Sequence, residues 1–442
     1  MRILFFNVCV FLYSFTYGQI NLLYNWQDNS LVGSSAYDNT YNEIWGVEVN
    51  DHEIAIIGST DGTHFIDVTD IQNAQEIAFV AGGYQGTGVI HRDYHDYNGY
   101  LYIVCDEGYS SSTLQIVDIS DLPNSINVVY DSNVLFRTSH NIFIDTLKAR
   151  LYACANENAA MSIYDISNPV NPTLIYEYDD VGHVHDIYVE NDTGYANCGS
   201  QGLRVIDFTN LNQNGNYNTL AVFDDYPDEG YNHSGWLHKS HDFYVMADEN
   251  HGYKMKLLDV SDLNNITVVS LFNSDVNPNS IAHNQIIVDD ILYTSHYYDG
   301  LVIHDISDPY NPQLIGMYDT CEDSIYNNYK GAWGVYPFFN SGKILISDMQ
   351  NGLFVFDFNN ISSVSDDLQN DNITIYPNPF IDYFNIKSDN EFNLIELYNI
   401  DGKIINLYVN SDNINTEFLK SGLYFLKIYY DNKIVVEKIV KK

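Results

Sequence analysis

One phrase recurs through the chain: a strand-like run that ends in Asp-x-Ser/Thr-Asp/Asn and restarts after a turn. It reads FIDVTD from Phe65, IVDISD from Ile116, IYDISN from Ile163, VIDFTN from Val205, LLDVSD from Leu257, IHDISD from Ile303 and VFDFNN from Val355. The shared acids are Asp67, Asp118, Asp165, Asp207, Asp259, Asp305 and Asp357, spaced 42 to 52 residues apart. A strand-rich unit of that period cannot bury its apolar face alone. It does so by standing copies around an axis, which predicts an all-β, seven-bladed β-propeller rather than a helical solenoid.

Each copy supplies four strands. In the sixth they start at His283, Ile291, Leu301 and Gln313. The Asp-x-Ser/Thr segment suits the turn between strands three and four, because short polar side chains bond backbone amides two residues on. These seven acids therefore read as scaffold. The last copy lacks a fourth strand. NLLYNWQD from Asn21 resembles TLIYEYDD from Thr173, a fourth strand elsewhere, so an N-terminal strand is expected to complete the last blade. Closing the ring this way leaves no free sheet edge between first and last blades. The repeated L-x-I-x-D-I-S unit resembles the LVIVD repeat of the secreted choice-of-anchor B proteins, over roughly residues 20–360. That resemblance implies a β-propeller and brings no activity with it.

Residues 1–18, MRILFFNVCVFLYSFTYG, have the order of an export signal: Arg2, an apolar stretch from Ile3 to Phe15, then small residues. The mature chain is expected to begin near Gln19, with no transmembrane segment. The formal charge of −40 argues against nucleic-acid binding, which needs a basic face. Cys105, Cys154, Cys198 and Cys321 form no CxxC pair and read as small buried side chains.

The tail changes character. Residues 373–442 hold 8 of the 19 basic residues against 9 acids, whereas the preceding part is strongly acidic. The propeller is placed at 19–360, a polar linker at 361–372 and a small β-sandwich at 373–442. Tyr376-Pro377-Asn378-Pro379-Phe380, Ser421-Gly422-Leu423-Tyr424 and the Lys-rich last strand resemble the C-terminal sorting domain of the type IX secretion system. The resemblance implies that the type IX machinery is a partner of residues 373–442. It also implies delivery to the cell surface or the extracellular space.

A second set of repeat positions carries chemistry. Counting back from each second strand gives Trp45, His91, His140, His185, His233, His283 and Trp333, 45 to 50 residues apart. In a propeller the first strand lines the channel, so five imidazoles are expected to ring one mouth. Glu107, Glu157 and Glu249, in CDEG, ANEN and ADEN, are expected on loops over that mouth. Converging imidazoles and carboxylates suit a divalent transition metal such as zinc, manganese or iron. A nearby Glu can instead take a proton from metal-bound water. Asp186, Asn141 and Asn284 follow ring histidines and are expected to orient ligands, with Asp96 close by. The acidic loop DDYPDEGYNH from Asp224 is a candidate for calcium, without the regular spacing of a calcium loop. The competing reading gives the histidines a structural role, tying blades together by hydrogen bonds.

Three functions fit these residues. The first is a secreted binding propeller whose extracellular ligand, a glycan, peptide or metal-bearing component, sits at the His-ringed mouth with Trp45 and Trp333. The second is a metal-dependent hydrolase or lyase using the same cluster, with Glu107, Glu157 or Glu249 as ligand or base. The third is a purely structural surface protein.

Overall fold

The computed structural model describes residues 18–321, 326–359, 374–388, 394–399, 403–409, 413–429 and 434–442. The leader expected over residues 1–18 lies, but for Gly18, outside the described residues, and so does the linker expected at 361–372. The chain divides into two compact units, Met1–Asn360 and Ile361–Lys442.

The first unit is a closed ring of seven four-stranded antiparallel sheets. Blade 1 comprises Tyr41–Val49, His52–Ser59, Gly62–Asp67 and Gln75–Ala81; blade 2, Arg92–Tyr97, Tyr100–Cys105, Leu114–Asp118 and Asn127–Ser132. Blade 3 comprises Asn141–Asp145, Arg150–Cys154, Met161–Asp165 and Thr173–Tyr178; blade 4, Asp186–Glu190, Thr193–Asn197, Leu203–Asp207 and Asn218–Phe223. Blade 5 comprises Asn232–Leu237, Phe243–Asp248, Met255–Asp259 and Thr267–Phe272; blade 6, Asn284–Val288, Ile291–Ser295, Leu301–Asp305 and Gln313–Tyr318. Blade 7 takes Ala332–Tyr336, Lys343–Asp348 and Gly352–Asn359 from the end of the unit and Gln19–Trp26 from its beginning. That N-terminal strand pairs antiparallel with Gly352–Asn359, from Gln19 opposite Asn359 to Trp26 opposite Leu353. The first strands of neighbouring blades lie side by side around the whole circle, blade 7 against blade 1 included.

The recurring turn is held by its own acid. Asp118 accepts hydrogen bonds from the Ser120 amide at 3.0 Å and its hydroxyl at 2.6 Å. Asp259 does the same with Ser261, and Asp165, Asp207 and Asp305 accept the amide two residues on. Each Asp thus stands in for a backbone acceptor at a tight turn.

The core is divided, like the sheet, into equal parts. Each interface between adjacent blades holds one buried cluster. Tyr102, Leu114 and Ile144 pack between blades 2 and 3, Leu258, Tyr195 and Val205 between 4 and 5, and Ile303, Val335 and Phe356 between 6 and 7. Between blades 7 and 1, Leu23, Tyr24 and Trp26 of the N-terminal strand join Leu345, Ile57 and Ile66. Burying one aliphatic side chain stabilises by roughly 1.5–3 kcal/mol, so these interfaces, rather than hydrogen bonds within single blades, hold the ring together. Cys105, Cys154, Cys198 and Cys321 are buried.

The second unit packs two sheets face to face. One is built of Thr374–Tyr376, Tyr383–Lys387 and Asn413–Asn415. The other runs Ile404–Val409, Leu394–Asn399, Gly422–Tyr429, Ile434–Lys441 in that spatial order. Phe384, Ile386 and Ile414 from one meet Ile395, Leu397, Leu426 and Ile439 from the other, the alternation expected of a small sandwich. Among the described residues no helix is long and apolar enough to cross a membrane.

Candidate functional site

Each inner strand begins at the same end of the channel. His91, His140, His185 and His283 stand immediately before their strands, and His233 and Trp333 second within theirs. The repeat therefore brings these six side chains to one mouth. Neighbouring ring centroids are separated by 4.7 Å (His91–His140), 4.2 Å (His140–His185), 4.1 Å (His185–His233), 4.4 Å (His233–His283), 4.5 Å (His283–Trp333) and 5.3 Å (Trp333–His91). The circle is complete with six members. They line a cavity of about 210 Å³ whose wall also includes Glu249, Tyr37, Tyr231, Tyr297 and Tyr329.

Trp45 is not among them. The inner strand of blade 1 starts at Tyr41 and contains a register shift between Tyr41 and Ile44, so counting back from its second strand lands too deep. Trp45 lies further along the channel, 4.6 Å from the His95 ring and 5.2 Å from Tyr336, with its indole N–H donating to Asp96 at 2.8 Å. Asp186, Asn141 and Asn284 are also one step deeper than the ring. Together with Glu43, Asp93 and Ser234 they line a second cavity of about 70 Å³, and Trp45, His95, Phe143, Trp236 and Ile286 follow two residues on. The channel is thus tiered: imidazoles, then acids and amides, then, one strand period of two residues further on, mostly aromatic rings. Gly334 keeps the polar tier open in blade 7, because a Cβ there would collide with the Glu43 carboxylate.

The three glutamates separate. Glu107 Oε1 accepts from His91 Nδ1 at 2.6 Å, and its other oxygen accepts the Ile90 and His91 amides, both at 3.1 Å. Glu249 Oε2 stands 3.8 Å from His233 Nε2, while Oε1 accepts from the Tyr297 hydroxyl at 2.5 Å. Glu157 is turned to a different task. It accepts from the Arg137 amide at 2.7 Å, the Arg137 side chain at 3.0 Å and the Thr138 amide at 3.0 Å, and so braces a loop. A residue missed in the sequence joins the site: Asp106 Oδ2 bonds His140 Nδ1 at 2.9 Å and lies 3.9 Å from His91 Nδ1. Its signal was the CDEG stretch itself, in which the Asp stands beside the chosen Glu.

Four tautomers follow from these contacts. A carbonyl oxygen only accepts, so His185 Nδ1 donates to the His233 carbonyl at 2.9 Å and His283 Nδ1 to the Trp333 carbonyl at 2.6 Å. Carboxylates likewise take the Nδ1 protons of His91 and His140. In His185 and His283, which burial keeps neutral, Nε2 keeps a lone pair. The blade-tying role and a ligand-binding role therefore use different nitrogens of the same ring. His233 Nδ1 has no hydrogen-bond partner among the described residues.

Electrostatics splits the circle in two. Burial, reinforced by neighbouring imidazoles, holds His185 and His283 well below the usual histidine value and His233 down to about 3, so these three are neutral at neutral pH. Burial would do the same to His140. The Asp106 hydrogen bond and the charges of Asp106, Glu107 and Glu249 outweigh it and raise His140. In the tier below, burial pushes Glu43 up to about 7, Asp186 to about 6 and Asp93 well above the usual carboxylate range.

Among the described residues, two groups of three ligating side chains meet metal-site spacing: His91, Asp106 and His140, and His233, Glu249 and His283. The acidic loop from Asp224 contributes to neither. The Lys256 ammonium beneath it donates to the Asp228 carbonyl at 2.7 Å and to Asp248 at 2.6 Å. His183 flanks the ring, 5.8 Å from His185 and bonded to the Tyr231 hydroxyl of the cavity wall, whereas His238 is bonded to Asp290 away from the mouth.

Comparison with known proteins agrees with this architecture. Residues 374–442 match the secretion system C-terminal sorting domain, and residues 152–180 and 288–320 match the LVIVD repeat. No curated protein matches the chain. Among solved structures it is similar to U3-55K, with a TM-score of 0.53 at 10% identity over 76% of this chain and 98% of that one. It is also similar to the β-propeller domain of Myceliophteria thermophila Cps50 (Swd1), with a TM-score of 0.52 at 11% identity over 77% and 99%. At such identities the likeness shows the propeller fold alone. The chain is thus a β-propeller with LVIVD repeats that ends in a type IX sorting domain, and that domain directs export to the cell surface or extracellular space.

Proposed function

We propose that this exported propeller is a binding protein whose channel mouth holds a divalent transition metal ion through His233, Glu249 and His283. The observation that carries the reading is the gap between His233 Nε2 and Glu249 Oε2. At 3.8 Å the two are too far apart for a hydrogen bond, yet close enough to straddle one ion, since donors about 2.0–2.2 Å from a tetrahedral ion sit some 3.3–3.6 Å apart. The Trp333 carbonyl holds the His283 tautomer with Nε2 unprotonated, as a bound imidazole requires. His185, packed against His233 and neutral, supports a fourth nitrogen donor. The tyrosines around the cavity offer ring faces to a sugar or peptide that reaches the ion.

A hydrolase or lyase on the same ion would need a free base. Glu107 and Glu157 are each committed to hydrogen bonds, which favours binding over hydrolysis. The test is elemental analysis of the purified chain after exposure to zinc, manganese and iron salts and desalting. Stoichiometric metal in the wild-type chain that falls by one full equivalent in Glu249→Gln is expected. No retained metal in the wild-type chain sinks the reading.

A further inference from the structure

Across the circle from that triad, a different set of atoms gathers. His91 Nδ1, His140 Nδ1, Asp106 Oδ2 and Glu107 Oε1 are linked by separations of 2.6 Å (His91–Glu107), 2.9 Å (His140–Asp106) and 3.9 Å (His91–Asp106). These bracket the spacing of donors around one tetrahedral ion. The nitrogens involved are Nδ1, on the loop side of the rings, whereas His283 in the opposite triad has Nδ1 tied to the backbone. All four side chains retain partial exposure: 23% for His91, 16% for His140, 32% for Asp106 and 20% for Glu107. Residues of blades 2 and 3 build this set, and residues of blades 5 and 6 build the other. In both, the carboxylates come from the loop after a second strand.

From this we infer that the mouth carries a second, more accessible metal site of two imidazole nitrogens and two carboxylate oxygens, formed by His91, His140, Asp106 and Glu107. The inference rests on the reading of the mouth as a metal site. For the ion to bind, each Nδ1 proton moves to Nε2 of a neutral ring or leaves a protonated ring for solvent; the pairs now bonded at 2.6 and 2.9 Å spread to donor spacing, and the Glu107 carboxylate swings in beside the His91, Asp106 and His140 group. Two nitrogens and two oxygens form a borderline donor set suited to Zn²⁺. The two carboxylates cancel the charge of that ion, and Glu249 offsets that of the buried one. His185 cannot bridge the two ions as an imidazolate, because its Nδ1 is spent on the His233 carbonyl.

The experiment is a calorimetric titration of the chelator-treated full-length chain with Zn²⁺, with elemental analysis of the desalted complex. Two equivalents are expected in the wild type. One equivalent is expected in Asp106→Asn/Glu107→Gln and, separately, in His91→Asn, each with an unchanged circular-dichroism spectrum. Glu249→Gln is expected to lose the other equivalent and keep this one. Glu157→Gln, which alters only the brace at Arg137, should still bind two. A wild-type stoichiometry of one, unaffected by the Asp106/Glu107 change, overturns the second site and leaves the first standing. Two equivalents that persist in both Asp106→Asn/Glu107→Gln and His91→Asn also overturn it, and zero in the wild type removes both.

Discussion

At the scale of the residue, the channel's second tier makes a claim that proton chemistry can check. Glu43 is buried with Asp93 and Asp186 as acidic neighbours, His95 and His140 nearby, and Asn284 as its hydrogen-bonding partner at 2.9 Å. Its folded value, pushed up to about 7, exceeds that of a free glutamate. The ionised form is therefore destabilising: the cost starts near the unfolded value, grows as pH rises and is complete above about 7. Glu43→Gln removes it. Thermal melts at pH 8 should show the variant more stable than wild type by on the order of 2 kcal/mol, and the advantage should vanish near pH 4. An equal gain at both pH values would rule out this origin. The ring itself was legible because five histidines share one repeat position. Trp45 was misplaced because a register shift cannot be seen in spacing, and Glu157 because an Arg two strands away had already claimed it. Glu43 and Asp93 escaped notice for a different reason: their neighbours in sequence give no period, and only the alternation of the inner strands reveals the tier.

At the scale of the element, two devices govern the sheets. The first is the Asp turn. Hydrogen bonds from Ser120, Ser167 and Thr209 hold Asp118, Asp165 and Asp207 below the usual carboxylate value. A depressed acid stabilises the fold above its unfolded value of about 3.9 and ceases to do so as pH falls through the lower folded value. Acid melts should therefore steepen below about pH 4, and Asp118→Ala should lose roughly 1 kcal/mol at pH 7 by denaturant titration. An unchanged midpoint would mean the turn holds without its acceptor. The second device is the strand Gln19–Trp26. Deleting it exposes the edge of Gly352–Asn359 and removes Leu23, Tyr24 and Trp26 from the interface of blades 7 and 1. The whole propeller should then melt at least 10 °C lower, read as one shifted cooperative transition. A melt that matched the intact chain would show that closure lies elsewhere. The sequence made both devices readable, since turn chemistry and strand resemblance are local properties.

At the scale of the whole molecule, two units carry separate information. The ring presents a mouth, and the sandwich of residues 374–442 carries the match to the sorting domain. Cutting the chain after Asn359 should leave a propeller that still folds and binds metal but stays in the periplasm, as fractionation would show. Its normal appearance outside the cell would detach export from the tail. Number and order of blades could be read from seven evenly spaced acids, because a propeller is one unit written repeatedly. The chemistry of the mouth could be read only in outline, because it depends on which ring nitrogen faces which neighbour. The shared blade has one more consequence. Asn25 hydrogen-bonds the backbone at Asn351, 326 residues later in the chain. A ribosome delivers the outermost strand of that blade long before the other three, so the nascent polypeptide carries an unanswered edge throughout its synthesis. The circle can snap shut only when the final repeat has emerged, so the ring stays an open string until its synthesis is nearly complete.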